Sequence, residues 1–321
     1  MVYALWLWGK YIDFKFSSLK FGEVNDFDVV LARFLKIHNF EIFLHLLNRL
    51  VLSLFDIHGK KVIISGGTGV LGQTAVAYLL RQGAKVCVIN RNPHKLAAML
   101  QEWSGISTEV FGFSGDVTDE NFLLNIREEI LSRWGSLDVL INAAGGNMPG
   151  AVIQPDASFF DASVPDLRKV FDLNLMGTLL PTYVLAKLFP DNGKSTIINY
   201  SSMSADRVLT RVLGYSMAKA AVDMFTKWLA VEFATKYGEK IRVNAVAPGF
   251  FLTEQNRNLL TQEDGSLTSR GERIVQNTPM GRFGEASELN GILHFLISEA
   301  SGFITGTVIP VDGGFSAYSG V

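Results

Sequence analysis

The chain has 321 residues, 48% of them hydrophobic and 19% charged, with a formal net charge of -2. That length supports one large domain or two small ones, and the dispersed lysines and arginines leave no basic stripe for nucleic acid or an anionic membrane surface. The single cysteine, Cys87, excludes a disulfide within the chain, and its place in the apolar run Val86-Cys87-Val88-Ile89 reads as a buried, inert thiol.

No internal repeat is visible, and the uncharged apolar runs fall well short of the roughly 18 residues that a membrane-spanning helix needs. Residues 1–55 differ from the rest of the chain, being rich in aromatics (Trp6, Trp8, Phe14, Phe16, Phe21, Phe27, Phe34) and poor in glycine. The run 1–8 is too short for the core of a signal peptide, and no convincing small-residue cleavage site comes after it. Over 40–55, leucines and phenylalanines recur at helical spacing, interrupted by Glu41, His45, Asn48 and Arg49; this reads as an amphipathic helix able to pack on the domain, a partner or a membrane surface. A true start near Leu50 or Val51 would instead make the upstream stretch a translated leader. The recognisable domain opens at Leu54-Phe55-Asp56. Residues 1–55 are therefore an extension of open status, and 56–321 are expected to form one domain that folds and works without residues 1–49.

From Lys60 onward, short apolar runs alternate with helical periodicity. Strands are expected over 61–65, 85–90, 109–112, 137–142, 196–200, 241–245 and 307–311, and helices over 70–81, 93–103, 120–134, 164–189, 214–237 and 285–298. Strands alternating with helices build a parallel sheet covered on both faces by right-handed crossovers, here a Rossmann-type, doubly wound α/β domain of about seven strands. The polar stretch 250–284 shows no strand pattern and reads either as a lid over a site or as a long surface excursion.

The turn Gly66-Gly67-Thr68-Gly69-Val70-Leu71-Gly72 joins the first strand to the first helix, where a parallel sheet presents backbone N–H groups and a helix N-terminus to a pyrophosphate. A glycine-rich turn alone is weak evidence, but these flanks point to a dinucleotide. At the end of the second strand stands Asn90-Arg91 and no acidic residue. A carboxylate there would repel a 2′-phosphate, whereas Arg91 can pair with it, so the sequence leans towards NADP over NAD.

In Gly214-Tyr215-Ser216-Met217-Ala218-Lys219, the tyrosine and lysine are four residues apart and share one helix face. A lone Tyr-x-x-x-Lys is usually a core tyrosine and a solvated lysine. Here it lies downstream of a dinucleotide turn, and Ser202 stands thirteen residues before Tyr215 at a strand end, where a hydroxyl can hold a substrate oxygen beside the phenol. A nearby ammonium is expected to lower the pKa of Tyr215 and make it a usable proton donor and acceptor.

These features, with Asn142-Ala143-Ala144-Gly145 after the fourth strand and Pro248-Gly249 after the sixth, resemble the short-chain dehydrogenase/reductase family over about residues 56–321. In that family's pattern, Ser202, Tyr215 and Lys219 fall on the catalytic serine, tyrosine and lysine, and Asn174 in Asp172-Leu173-Asn174-Leu175 on the asparagine of the proton relay. The resemblance implies that Asp116-Val117 borders the adenine, that Asn142, Ala143, Ala144 and Gly145 border the adenosine side, and that Thr253 contacts the nicotinamide carboxamide. It also implies that Gly66, Thr68, Gly69, Val70, Leu71 and Gly72 cradle the phosphates, with Tyr215, Lys219, Pro248 and Gly249 at the nicotinamide end. One departure is Val70, where most members carry their middle glycine.

The stretches 142–147, 248–258, 278–284 and 311–321 look most like the D-mannonate oxidoreductase (fructuronate reductase) branch of that family. The resemblance therefore implies an NADP- or NAD-dependent enzyme that interconverts a keto sugar acid and its hydroxy acid, with no metal, in the cytoplasm, as a homotetramer or dimer. Asn147, Arg207, Arg211, Gln255, Asn256 and Arg257 are candidates for the sugar hydroxyls and carboxylate, each equally readable as a solvated surface group. The rivals are a gluconate 5-dehydrogenase-like polyol reductase, an oxoacyl reductase, and a non-catalytic dinucleotide-sensing interaction protein. A pure binding module has no need of Tyr215, which argues against the last.

Overall fold

The computed structural model describes residues 53–253 and 257–320, so the expectations for residues 1–52 lie outside the described residues. Phe55–Val321 forms one compact unit. Its seven strands are β1 (Lys61–Ser65), β2 (Lys85–Asn90), β3 (Val110–Ser114), β4 (Val139–Asn142), β5 (Ser195–Tyr200), β6 (Ile241–Pro248) and β7 (Val308–Val311). They lie in the order β3-β2-β1-β4-β5-β6-β7, with every neighbouring pair parallel. This is the doubly wound Rossmann-type sheet expected from the alternation of strand and helix patterns.

The apolar runs of the inner strands are buried on both faces, and their period of two divides the core. Val62, Ile64, Val86, Val88 and Ile141 pack on one side, with Val76 and Leu79 of α1 (Val70–Arg81) and Leu96 of α2 (Pro93–Ser104). Ile63, Cys87, Ile89 and Leu140 face the other side, against α3 (Glu120–Trp134), α4 (Val164–Leu185) and α5 (Leu213–Tyr237). Cys87 is fully buried, and desolvation raises its thiol far above the ordinary range, so it is chemically silent.

Local signals set several helix ends. Asn92 accepts from the Lys95 N–H and Pro93 opens α2; Asp119 accepts from the Phe122 N–H at the start of α3, which stops at Gly135 with φ 71°. The expected helix over 164–189 gives way at Leu185 to a 3-10 turn, Ala186–Leu188, before Phe189-Pro190, because the residue preceding a proline is pushed out of the helical region. The expected helix over 285–298 is likewise split into a 3-10 turn, Ala286–Leu289, and α8 (Asn290–Ile297).

Two short helices within the polar stretch escaped the sequence reading, α6 (Arg257–Leu260) and α7 (Ser269–Gln276). The stretch is tied to the domain at its ends: Phe251 bridges to Gly284, and the Gly284 N–H donates to the Phe250 carbonyl at 2.9 Å. Among the described residues no helix is long and apolar enough to cross a membrane.

Candidate active site

The strand order reverses between β1 and β4, so the crossovers diverge there and leave a crevice at the carboxyl ends of the strands. A cleft of about 690 Å³ opens at that place. At one end, the Gly66 N–H donates to the Ile89 carbonyl at 2.8 Å and the Gly69 N–H to the Gly66 carbonyl at 3.0 Å, closing a tight turn. Gly66 has φ 70°, and a Cβ there would sit 2.7 Å from the Ala143 carbonyl oxygen. Helix α1 then begins at Val70 with no side chain capping it and no acidic residue in its first turn. Its first N–H groups are therefore unclaimed by side chains and face the cleft, as a pyrophosphate requires. The fit to a dinucleotide rests on this uncapped helix start and on glycines that allow the close approach.

The cleft is lined by Gly66, Thr68, Gly69, Val70, Leu71, Gly72, Asn90, Arg91, Asp116, Val117, Ala143, Ala144, Gly145, Ser202, Tyr215, Lys219, Pro248, Gly249 and Thr253. These are the residues singled out in the sequence, with one exception for the dinucleotide. Asn142 is wholly buried behind the wall, where its amide donates to Thr182 Oγ1 and Asn199 Oδ1, both at 2.9 Å. Lys95, Gly146, Tyr200 and Phe251 also line the cleft and were not foreseen. For Lys95 a signal existed, one turn into the helix after Asn90-Arg91.

At the other end, Ser202, Tyr215 and Lys219 meet. Ser202 lies just beyond β5, at the start of the 3-10 turn Met203–Ala205, and accepts from the Ser204 N–H at 3.2 Å and Ser204 Oγ at 3.0 Å, which orients its hydroxyl. The Lys219 ammonium is buried, donates to the Tyr200 carbonyl at 2.7 Å, and lies 5.6 Å from the centre of the Tyr215 ring. Burial lowers the Lys219 pKa to about 8, with Asp223, one turn further along the helix, pulling it back up.

The expected lowering of the Tyr215 pKa by the nearby ammonium is outweighed by burial. Burial raises the phenol above its ordinary value, and the hydrogen bond with Ser202 offsets only part of this. The reason is geometric: the ammonium is directed to the Tyr200 carbonyl and not to the phenol oxygen.

Asn174 sits behind this group on α4 and is fully buried. Its side-chain amide donates to the Gly146 and Val170 carbonyls, both at 2.7 Å, and its oxygen accepts from the Gly146 N–H at 3.0 Å. The side chain is thus a clamp on the strand-end loop. A Cβ at Gly145 would lie 2.6 Å from the Asn174 oxygen and 3.3 Å from the Lys219 nitrogen, so only glycine fits between them.

The substrate candidates are less concentrated. Asn147 accepts from the next N–H of its own loop, at Met148. Arg207 is engaged by Asp206 at 3.7 Å and by the Ser316 carbonyl. Arg211 donates to Gln154 at 2.5 Å, Arg257 is an exposed residue opening α6, and Gln255 and Asn256 lie outside the described residues.

A dinucleotide cleft ending in a serine, tyrosine and lysine defines an oxidoreductase that moves a hydride to or from a carbonyl or alcohol carbon. Residues 69–316 match the short-chain dehydrogenase profile described as enoyl-(acyl carrier protein) reductase, and the chain belongs to the short-chain dehydrogenase/reductase family. It is 42% identical over 275 residues to the uncharacterized oxidoreductase UxuB of Bacillus subtilis, covering 83% of this chain and 98% of that one. A Haemophilus influenzae crystal structure with bound NAD, provisionally described as a D-mannonate oxidoreductase, superimposes with a TM-score of 0.77 at 42% identity, covering 83% of this chain and 98% of that one. The gluconate 5-dehydrogenase of Gluconobacter oxydans is 30% identical over 268 residues, covering 82% of this chain and 97% of that one. The chain is accordingly an NAD(P)-dependent oxidoreductase acting on alcohol and keto groups.

Proposed function

We propose that the enzyme interconverts D-fructuronate and D-mannonate, a keto sugar acid and its hydroxy acid. The observation that carries a carbonyl reduction is the meeting of Ser202, Tyr215 and Lys219 at the end of the cleft opposite the uncapped helix. The sugar-acid reading draws on the likeness to the Haemophilus structure. Tyr215 donates its proton to the carbonyl oxygen, and Ser202 holds that oxygen beside the phenol. Lys219 supplies a fixed positive charge as the phenol ionises, and Asn174, through its clamp on Gly146, keeps the loop beside them in place. When bound, the dinucleotide supplies or accepts the hydride.

The adenosine end supports NADP, with NAD as an alternative: Arg91 and Lys95 line it, and Asn90 stands where a carboxylate would repel a 2′-phosphate. The bound NAD of the Haemophilus relative supports the use of NAD as well. A second reading, reduction of another polyol as by gluconate 5-dehydrogenase, is favoured by the 30% identity to that enzyme.

The test is to measure specificity constants for D-fructuronate, 5-keto-D-gluconate and an oxoacyl thioester with each dinucleotide, in wild type and Arg91→Asp. The expected outcome is a preference for D-fructuronate and a shift from NADP towards NAD in the variant. Preference for either other substrate overturns the hexuronate reading; an unchanged cofactor ratio overturns the role of Arg91.

A further inference from the structure

The residues that follow β7 join two walls of the cleft. One wall is the turn that begins at Ser202. There the Ala205 N–H donates to the Ser202 carbonyl at 3.0 Å, and the Asp206 and Arg207 N–H groups donate to the Met203 carbonyl at 3.3 and 2.9 Å, so the backbone from Ser202 to Arg207 is one closed turn. The other wall is Gly249 at the end of β6, whose N–H donates to the Val311 carbonyl at 3.0 Å; a Cβ on it would lie 2.6 Å from the Asp312 Cβ and 2.7 Å from the Asp312 Cα. Ser202 and Gly249 both line the cleft. The strand order puts the ends of β5 and β6 on the side of the phosphate turn away from Asn90 and Arg91, so the reacting half of a bound dinucleotide lies at these two walls.

The C-terminal turn is built on one carboxylate. Asp312 Oδ1 accepts from the Gly314 N–H at 2.9 Å, and Oδ2 accepts from the Ser316 N–H at 2.8 Å and from the Ser316 hydroxyl. The turn is tied to its surroundings on the Gly249 side: the Gly313 carbonyl accepts from the Met280 N–H at 3.1 Å, and the Phe315 ring meets Phe250 edge to face with centres 5.3 Å apart. On the Ser202 side, the Ser316 carbonyl accepts from Arg207 Nη2. The other neighbour of that guanidinium, Asp206, is 3.7 Å away and 82% exposed, a pair that water screens. The firm partner of Arg207 is therefore the backbone of the C-terminal turn, through a charge-assisted hydrogen bond.

We propose that Arg207 is a positioning residue that clasps the turn of Ser202 to the C-terminal turn beside Gly249 and Phe250, and so sets the spacing between the substrate carbonyl and the hydride-carrying ring. Hydride transfer needs its reacting atoms about 3–3.5 Å apart, and a misplacement of about 1 Å costs on the order of 100-fold in rate even when its cause lies outside the site. The inference rests on the role given to Ser202 and is independent of which keto compound is the substrate. It replaces the sequence expectation that Arg207 binds a substrate carboxylate. A carboxylate ligand acts on the affinity for an acid; a clasp acts on the hydride step of every substrate.

The experiment measures kcat and KM separately for wild type, Arg207→Met, Arg207→Lys and Ser202→Ala, on the best substrate of the panel above, with the dinucleotide carrying hydrogen or deuterium at the transferred position. Thermal unfolding and calorimetric titration of the dinucleotide serve as folding controls. The expected result is that Arg207→Met lowers kcat about 10- to 100-fold with KM and dinucleotide affinity nearly unchanged, and that the isotope effect on kcat rises as the hydride step becomes limiting. Arg207→Lys should recover part of the loss, because an ammonium also donates to a carbonyl. An unchanged kcat, or a loss confined to KM as for a carboxylate ligand, overturns the clasp. If Ser202→Ala is inactive while Arg207→Met is normal, the clasp alone falls. If Ser202→Ala keeps turnover within tenfold of wild type, the role of Ser202 falls and the clasp falls with it.

Discussion

The Lys219 ammonium donates to the Tyr200 carbonyl across 2.7 Å, and both residues are buried in the wall of the cleft. A buried cation disfavours its own charged form, which is why the Lys219 pKa lies near 8 against an ordinary 10.5. Between those values the unfolded chain binds a proton that the folded chain does not, so stability should rise with pH from about 8 to 10.5, by roughly 3 kcal/mol in total. In Lys219→Met this component of the rise should vanish, and below pH 8 the variant should be the more stable protein though inactive. Urea unfolding across pH 7 to 11, on both proteins, checks it. Equal slopes for both would show that the lysine is not the titrating group.

Tyr215→Phe removes only the proton donor and keeps the ring against Lys219. Turnover should fall by at least about a thousandfold while dinucleotide affinity changes little, because the phosphate turn and helix α1 lie at the other end of the cleft. Steady-state rates alongside calorimetric titration of the dinucleotide separate the two. Turnover within tenfold of wild type would remove Tyr215 from the chemistry.

Two glycines should respond in opposite directions to alanine. At Gly72 a Cβ would lie 2.5 Å from the Gly66 carbonyl oxygen and 2.8 Å from the Gly67 Cα, backbone atoms that cannot move without opening the phosphate turn. Gly72→Ala should lose about 2 kcal/mol or more and weaken dinucleotide binding. At Gly291, in α8, a Cβ meets nothing within 4 Å, and Gly291→Ala should gain about 0.5 kcal/mol by stiffening the unfolded chain. Denaturant midpoints decide both.

The outer faces of α4 and α5 expose Tyr183, Met224, Trp228 and Val231, the kind of apolar surface found at contacts between proteins. We expect it to be buried between copies of this chain. Trp228→Glu should then shift the particle to a smaller species in light scattering and leave the far-ultraviolet circular dichroism unchanged. A monomeric wild type would rule this out.

The sheet was legible because its strands are apolar on both faces: 61–65 and 85–90 coincide with β1 and β2, and 120–134 with α3. Boundaries failed where the pattern continues past the hydrogen bonds, as at 137–138, which precede β4. Helix α7 was missed because its eight residues bury only Gly271 and Ile274, too few for a period to show. The reacting residues could be read from their spacing, since four positions on a helix mean one face. The pKa of Tyr215 was misjudged because sequence shows that a lysine is near, not that its protons are directed to a carbonyl.

A buried ladder runs beneath the site: Asn199 donates to Thr226, Asn142 to Asn199 and Thr182, Thr182 to the Thr178 carbonyl, and Thr178 to the Asn174 carbonyl. It ties β4 and β5 to the two helices that carry Asn174, Tyr215 and Lys219, and none of its rungs involves residues 250–284. Sequence drift in that segment therefore leaves intact the hydrogen bonds that hold the helices of Asn174, Tyr215 and Lys219 against the sheet. Drift in the ladder would damage the chemistry for every substrate alike.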